Sequence, residues 1–169
     1  MPDDLRFVRE PFARAWPLIR PLVAQHGAEV AEPDEDPPVI DVPVYTAACE
    51  RGMLVTCSAY HRAAPDGAGD IADGTAEGPE FLVGYAVFWL NKMPQHVGQN
   101  GAWQDAVYLM PEVRRGSNGS RFLAYCEREL VALGVQWIHH SVRPGRDFSP
   151  VLRRLGYRPV ETLFAKRVA

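Results

Sequence analysis

The residues whose types and spacing best suit chemistry are "RRGSNG", Arg114 to Gly119. Gly116 and Gly119 would let the backbone approach an anion closely, and Arg114 and Arg115 add positive charge. Ser117 or Asn118 offers a side-chain cap to a helix that follows. The chemistry would be capture of a diphosphate by unpaired N–H groups at the positive end of a helix dipole. The same six residues also describe a Gly-rich turn with two solvated arginines, and their spacing alone does not choose between the two. Rival phosphate motifs are not matched: a P-loop requires Gly-Lys-Ser/Thr, and the dinucleotide fingerprint requires GxGxxG with an acid on a second strand.

A cradle of this kind needs a strand before it and a helix after it. "AWQDAVYLM", residues 102–110, reads as a strand, and from Ser117 to Leu133 the residues Phe122, Leu123, Cys126, Leu130 and Leu133 form an apolar stripe that Gly134 ends. "QWIHHSV", 136–142, follows as a strand, so residues 103–142 make a βαβ-like unit with a right-handed crossover expected. "EFLVGYAVFWLNKM", 80–93, is the strongest strand signal, with Gly84 at a bulge or a close backbone approach. Towards the N-terminus, "LRFVRE" (5–10) and "MLVTCSAYHR" (53–62) read as strands and "VYTAACERG" (44–52) as a helix ending at Gly52. "ARAWPLIRPLVAQHG", 13–27, has helical spacing, but Pro17 and Pro21 predict a kinked or broken helix. The acidic, Pro-rich stretch 32–38 reads as a loop, and 63–79 as an enlarged hairpin tip.

Composition narrows the class. A chain of 169 residues suits one domain, 1–169, and 47% hydrophobic with 23% charged residues is the balance of a soluble protein. No apolar run approaches the roughly 20 residues of a membrane span, and the mixed, acidic start lacks signal-peptide character, so a cytoplasmic protein without membrane contact is expected. Cys49, Cys57 and Cys126 include no CxxC pair, which argues against a disulfide framework or a zinc site; no metal is expected. A net charge of -3 excludes a broad nucleic-acid footprint.

The flanks of the cradle carry a family resemblance. "AVYLMPEVRRG", "SRFLAYCERELVALGVQWI" and "VLRRLGYRPVETLFAKRV" resemble the coenzyme strand, helix and closing segments of the GNAT superfamily of acyl-CoA-dependent N-acetyltransferases. The likeness spans roughly residues 40 to 167 and is nearest to phage and prophage GNAT proteins. It departs from the family's Gln/Arg-x-x-Gly-x-Gly/Ala pattern at Ser117, which stands for a glycine, and it has Leu152 where a general-acid tyrosine is frequent. The resemblance implies an α/β (α+β) GNAT fold: a mixed, mostly antiparallel sheet of roughly six to seven strands with a V-shaped splay, about four flanking helices and a final hairpin.

It also implies a site. The pantetheine arm of acetyl-CoA would lie on the backbone of Val107, Tyr108 and Leu109, and its pyrophosphate on Arg114, Arg115, Gly116, Ser117, Asn118, Gly119 and Ser120. A primary amine would attack the acetyl thioester directly in a ternary complex. Asp105 and His140 occupy the places of the general base in different members; the alternatives are an exposed edge acid and a buried strand histidine. Alternation on a strand lets only one of His139 and His140 face the cleft. Tyr157 and Tyr108 are the substitutes for the missing acid, or else packing aromatics, and residues 91–96 with Trp103 either line the acceptor pocket or form a plain loop. The acceptor would be a small molecule, a modified nucleotide or a protein lysine, and a homodimer through sheet edges is compatible with this fold. A non-catalytic acyl-CoA-binding or interaction module is the alternative, which Leu152 keeps open.

Overall fold

Alternation along one strand organises the molecule. In a computed structural model, which describes residues 5–30, 38–62 and 80–166, strand β3 (Glu80–Lys92) sends Ala86 and Phe88 into one apolar cluster and Tyr85 and Val87 into another. Side chains two apart share a face, so β3 separates two cores. On the first face lies α3 (Asn118–Ala132), which contributes Phe122, Cys126 and Leu130. On the second lie α1 (Phe12–Val30) and α2 (Val42–Glu50), through Phe12, Ala15, Ile19, Leu22 and Ala48.

The sheet is completed by β1 (Leu5–Arg9), β2 (Leu54–Arg62), β4 (Asn100–Leu109) and β5 (Trp137–His139), in the order β1-β2-β3-β4-β5. The first four are antiparallel neighbours, and β5 runs parallel to β4 after the crossover through α3. A short α4 (Ser149–Arg154) follows.

Several expectations change. The sheet has five strands among the described residues, not six to seven, because residues 157–166 form no ladder and no final hairpin. β5 is three residues long rather than the seven of 136–142. Pro17 and Pro21 do not break α1, which continues for 19 residues. Each proline removes one i→i−4 bond, but the apolar face Phe12, Ala15, Ile19 and Leu22 is buried against the sheet, and that burial outweighs the loss. The helix also continues past Gly27, where a Cβ would come within 3.0 Å of Pro38 Cδ; the glycine admits the returning chain rather than ending the helix. α2 begins two residues earlier than expected, at Val42, because Asp41 Oδ1 accepts from Val44 N–H as an N-cap. Of the 32–38 loop only residue 38 is described, and the 63–79 hairpin tip lies outside the described residues.

Gly84 is a close-approach position. A Cβ there would stand 2.7 Å from the Tyr108 carbonyl and 2.4 Å from Leu109 Cδ2, and the β2–β3 register slips beside it.

Candidate active site

The site begins with a register error in β4. Val87 lies opposite Ala106 but Phe88 lies opposite Gln104, so Asp105 is the extra residue of a β-bulge. The bulge turns two consecutive residues, Asp105 and Ala106, to the α1/α2 face. Asp105 Oδ2 accepts from Tyr45 Oη–H at 2.8 Å and Oδ1 from Trp89 Nε1–H at 3.2 Å, while Ala106 packs in that cluster. Burial, then the bond to Asp105, pushes the Tyr45 hydroxyl above the usual range, so it stays a proton donor to the carboxylate.

Next to the bulge the sheet opens. β4 and β5 pair only through Gly101–Trp103 and Trp137–His139. Beyond them Gln104 spans the gap: its Oε1 accepts from His140 Nδ1–H at 2.6 Å, and its Nε2 donates to the Ser141 carbonyl at 3.4 Å. A side chain thus stands where ladder bonds would continue, and this shortens β5. Met110 N–H donates to Val83 O at 2.8 Å, so Met110 and Tyr108 direct their backbone groups to β3. By alternation Val107 and Leu109 direct theirs into the opening. Of the three residues expected on the pantetheine arm, these two direct polar backbone to the opening, where the Leu109 carbonyl already accepts from Arg114 Nε.

The cradle follows a single 3₁₀ turn, Pro111–Val113. Gly116 takes a φ of 58°, the left-handed conformation that a side chain disfavours. Ser117 occupies the N-cap place of α3 but makes no side-chain cap bond, and Asn118 turns its Nδ2 back to the Val113 carbonyl at 3.1 Å. The Ser117 side chain therefore does not cap the helix in the expected way, although the first N–H groups of the helix have no intrahelical partners. A Cβ on Gly119 would meet nothing within 4 Å.

Arg114 is engaged elsewhere. Its guanidinium forms two parallel bonds to Glu29 on α1, at 2.5 and 2.6 Å, its Nε donates to the Leu109 carbonyl at 2.6 Å, and it lies over the Tyr108 ring. From the other side of the opening Arg146 Nε donates to the Glu29 carbonyl at 2.8 Å and Arg143 Nη1 to the Val30 carbonyl at 3.2 Å. These arginines bind carbonyls at the negative end of the α1 dipole. The last turn of α1 is thereby tied to both edges of the splay.

Bulge, splay and cradle border one open cleft of about 1340 Å³, with Tyr45, Gln104 and Asp105 at one end and Gly116, Gly119 and Ser120 at the other. A pocket for one drug-sized ligand is about 300–1,000 Å³, so two ligands can be held together.

His140 sits differently from Asp105. It faces the α3 side of the sheet, edge-on to Phe88, Phe148 and Tyr157 at 5.8, 6.3 and 4.9 Å between ring centres, and does not line the cleft. Burial, then the neighbouring His139, lowers its pKa to about 4. His139 faces the opposite side, stacked on Trp103 with ring centres 3.9 Å apart. Leu152 is buried, Tyr157 Oη–H turns to Glu127 at 3.3 Å, and Tyr108 Oη–H to Gln25 at 3.4 Å. Among the described residues no group of three or more metal-ligating side chains forms, and no helix is long and apolar enough to cross a membrane.

The overall fold recurs in solved structures. An aminoglycoside acetyltransferase from an uncultured soil metagenomic sample, in complex with sisomicin, superposes with a TM-score of 0.64 at 9% identity, covering 98% of this chain and 97% of that one. A ribosomal-protein-alanine N-acetyltransferase from Brucella melitensis gives 0.64 at 12% identity, covering 98% and 99%. A predicted acetyltransferase from Clostridium acetobutylicum, with acetyl-CoA, gives 0.65 at 13%, covering 96% of each. The fold is that of GNAT acetyltransferases. No protein-family model and no curated protein matches the sequence. At such identities the likeness is one of fold.

Four residues escaped the sequence reading: Tyr45 and Trp89, which hold Asp105, Gln104, which spans the splay, and Glu29, which holds Arg114. Gln104 adjoins Asp105 in "WQDAV", which was a signal of sorts. The others lie 16 to 85 residues from their partners, and no spacing rule reaches so far.

Proposed function

We propose that the protein transfers an acetyl group from acetyl-CoA to a primary amine by direct attack within a ternary complex. The observation that carries this reading is the placement of Asp105: a carboxylate on a bulge, where β4 leaves β5, in one cleft with the N-terminal turn of α3. From Leu109 to Asp105 is four residues, about 13 Å of strand. A coenzyme with its diphosphate at Gly116 to Ser120 and its pantetheine arm along Val107 and Leu109 brings its thioester towards Asp105. The solved acetyltransferase that holds acetyl-CoA in this fold supports the coenzyme assignment.

Asp105 first draws in the ammonium. An alkylamine has a pKa near 10.4, so only about 4 in 10⁴ molecules are neutral at pH 7, and the nucleophile must lose a proton. The ammonium gives up one proton to bulk water before attack. As the lone pair of the neutral amine then bonds to the thioester carbon, the nitrogen of the adduct becomes far more acidic, and Asp105 takes its second proton directly or through water. The Val107 N–H, directed into the splay, donates to the developing oxyanion. The carbon–sulfur bond then breaks, and a thiol of pKa near 8.5 departs as thiolate without a strong acid. Leu152 in place of a tyrosine is consistent with that.

Asp105→Asn keeps the shape and removes the charge. Thiol release from acetyl-CoA with a saturating amine is expected to fall about 10²- to 10⁴-fold in kcat, with calorimetric binding of acetyl-CoA unchanged. Unchanged kcat would remove Asp105 from the mechanism. The buried Leu152 favours a second reading, a module that binds acyl-CoA without turnover; tight acetyl-CoA binding with no thiol release from any amine would establish it.

A further inference from the structure

The acceptor end of the cleft has its own chemistry, and on the acetyltransferase reading it identifies the acceptor class. Phe12 stacks on Trp16 with ring centres 5.5 Å apart and lies 5.1 Å from Tyr45, which meets Trp89 edge-on at 5.2 Å. Tyr45 and Trp89 are the two residues that bond to Asp105, so the rings and the carboxylate are contiguous. Ile19 and Val23 continue the same apolar wall along α1.

Charge is distributed unevenly along the cleft. Three acids line it among the described residues: Glu29, Asp105 and Asp147. Glu29 is neutralised by Arg114, and Asp147 accepts from Ser149 N–H at 2.8 Å, with the charge of Arg153 on α4 acting on it. Asp105 has its negative charge held by a hydroxyl and an indole, whereas Asp147, also held by a neutral donor, has the charge of Arg153 nearby. The cations Arg114, Arg143, Arg146, Arg154 and Lys166 also line the cleft. One ammonium is therefore well served, by a carboxylate and by ring faces that attract cations. Among the described residues, a second ammonium a few carbons away would meet apolar rings without a counter-charge, or approach the arginines, and either is costly.

We infer that the acceptor is a monoamine with an apolar or aromatic body, its ammonium on Asp105 and its body against Trp16 and Tyr45, which Phe12 backs from the core. Polyamines and aminoglycosides are poor acceptors for this site, in contrast to the metagenomic relative crystallised with sisomicin.

The test uses the full-length protein, acetyl-CoA and thiol release with 2-phenylethylamine, n-hexylamine, spermidine and kanamycin as alternative acceptors. For 2-phenylethylamine and n-hexylamine kcat/KM is expected at least about tenfold above that for spermidine or kanamycin. Trp16→Ala is expected to raise KM for 2-phenylethylamine about tenfold and to leave KM for acetyl-CoA within about twofold, the second measurement confirming an intact fold. Faster turnover of spermidine or kanamycin would overturn the inference and leave the acetyltransferase reading standing, as would an equal effect of Trp16→Ala on all four amines. Release with none of them, despite acetyl-CoA binding, would overturn the inference, and the acetyltransferase reading would fall only if no amine of any class were acetylated.

Discussion

Arg114 and Glu29 form a two-bonded ion pair that joins the turn between β4 and α3 to the last turn of α1. The bond from Arg114, its first cause, holds the Glu29 carboxyl below its ordinary pKa. A depressed carboxylate stabilises the fold above its unfolded pKa, near 4.3, and that contribution is lost as pH falls through the lower folded value. Arg114 is over a third exposed, so Glu29→Gln should cost no more than about 1 kcal/mol at pH 7. Melting curves of wild type and variant should converge below about pH 4. With its counter-charge gone, Arg114 becomes available to phosphate, and calorimetry should find CoA bound more tightly and with a steeper salt dependence.

At Gly119 stability and binding should part company. A side chain there projects into open space within the cleft, so Gly119→Val leaves the melting temperature unchanged or slightly raised, because glycine is the poorer helix residue by a few tenths of a kcal/mol. The branched side chain fills the room a diphosphate needs. CoA affinity should drop at least about 100-fold, about 2.7 kcal/mol. Arg115→Ala, which alters charge without shape, should weaken binding only a few-fold.

Gly84 gives the opposite pattern. Gly84→Ala places a methyl group 2.7 Å from the Tyr108 carbonyl, and β3 and β4 must shift to admit it. A loss of about 1–3 kcal/mol in urea unfolding is expected, as for overpacked cores. Because Val107 and Leu109 lie on the displaced strand, CoA affinity should fall with it; native affinity would mean that β4 absorbs the methyl group without moving its open edge.

His140 is buried neutral, with its pKa lowered to about 4 by burial. The unfolded chain protonates near pH 6.5 and the folded one does not, so stability is full above about 6.5 and declines as pH falls towards about 4, by roughly 3 kcal/mol across that window. His140→Gln removes the titration, and its unfolding free energy should vary less between pH 7 and pH 4 than that of the wild type. Since the ring does not line the cleft, kcat should stay within about threefold; a fall as large as that expected of Asp105→Asn would pass the base role to His140.

What the sequence by itself determined is local. The βαβ order of β4, α3 and β5 could be read because apolar periodicity survives in one dimension, and "RRGSNG" because strand, turn and helix are consecutive. The continuity of α1 through Pro17 and Pro21 could not, since the burial that compensates the lost hydrogen bonds comes from the sheet. Nor could the five-stranded sheet, whose last strand stops where Gln104 takes over from the ladder. Only the tertiary structure separated the two proposed bases: the bulge turns Asp105 to the α1/α2 face, and alternation from His139 turns His140 to the other. It also took Arg114 from the cradle and gave it to Glu29, 85 residues away. Facing and pairing are decided by which strands and helices meet, and a chain read in order does not contain that meeting.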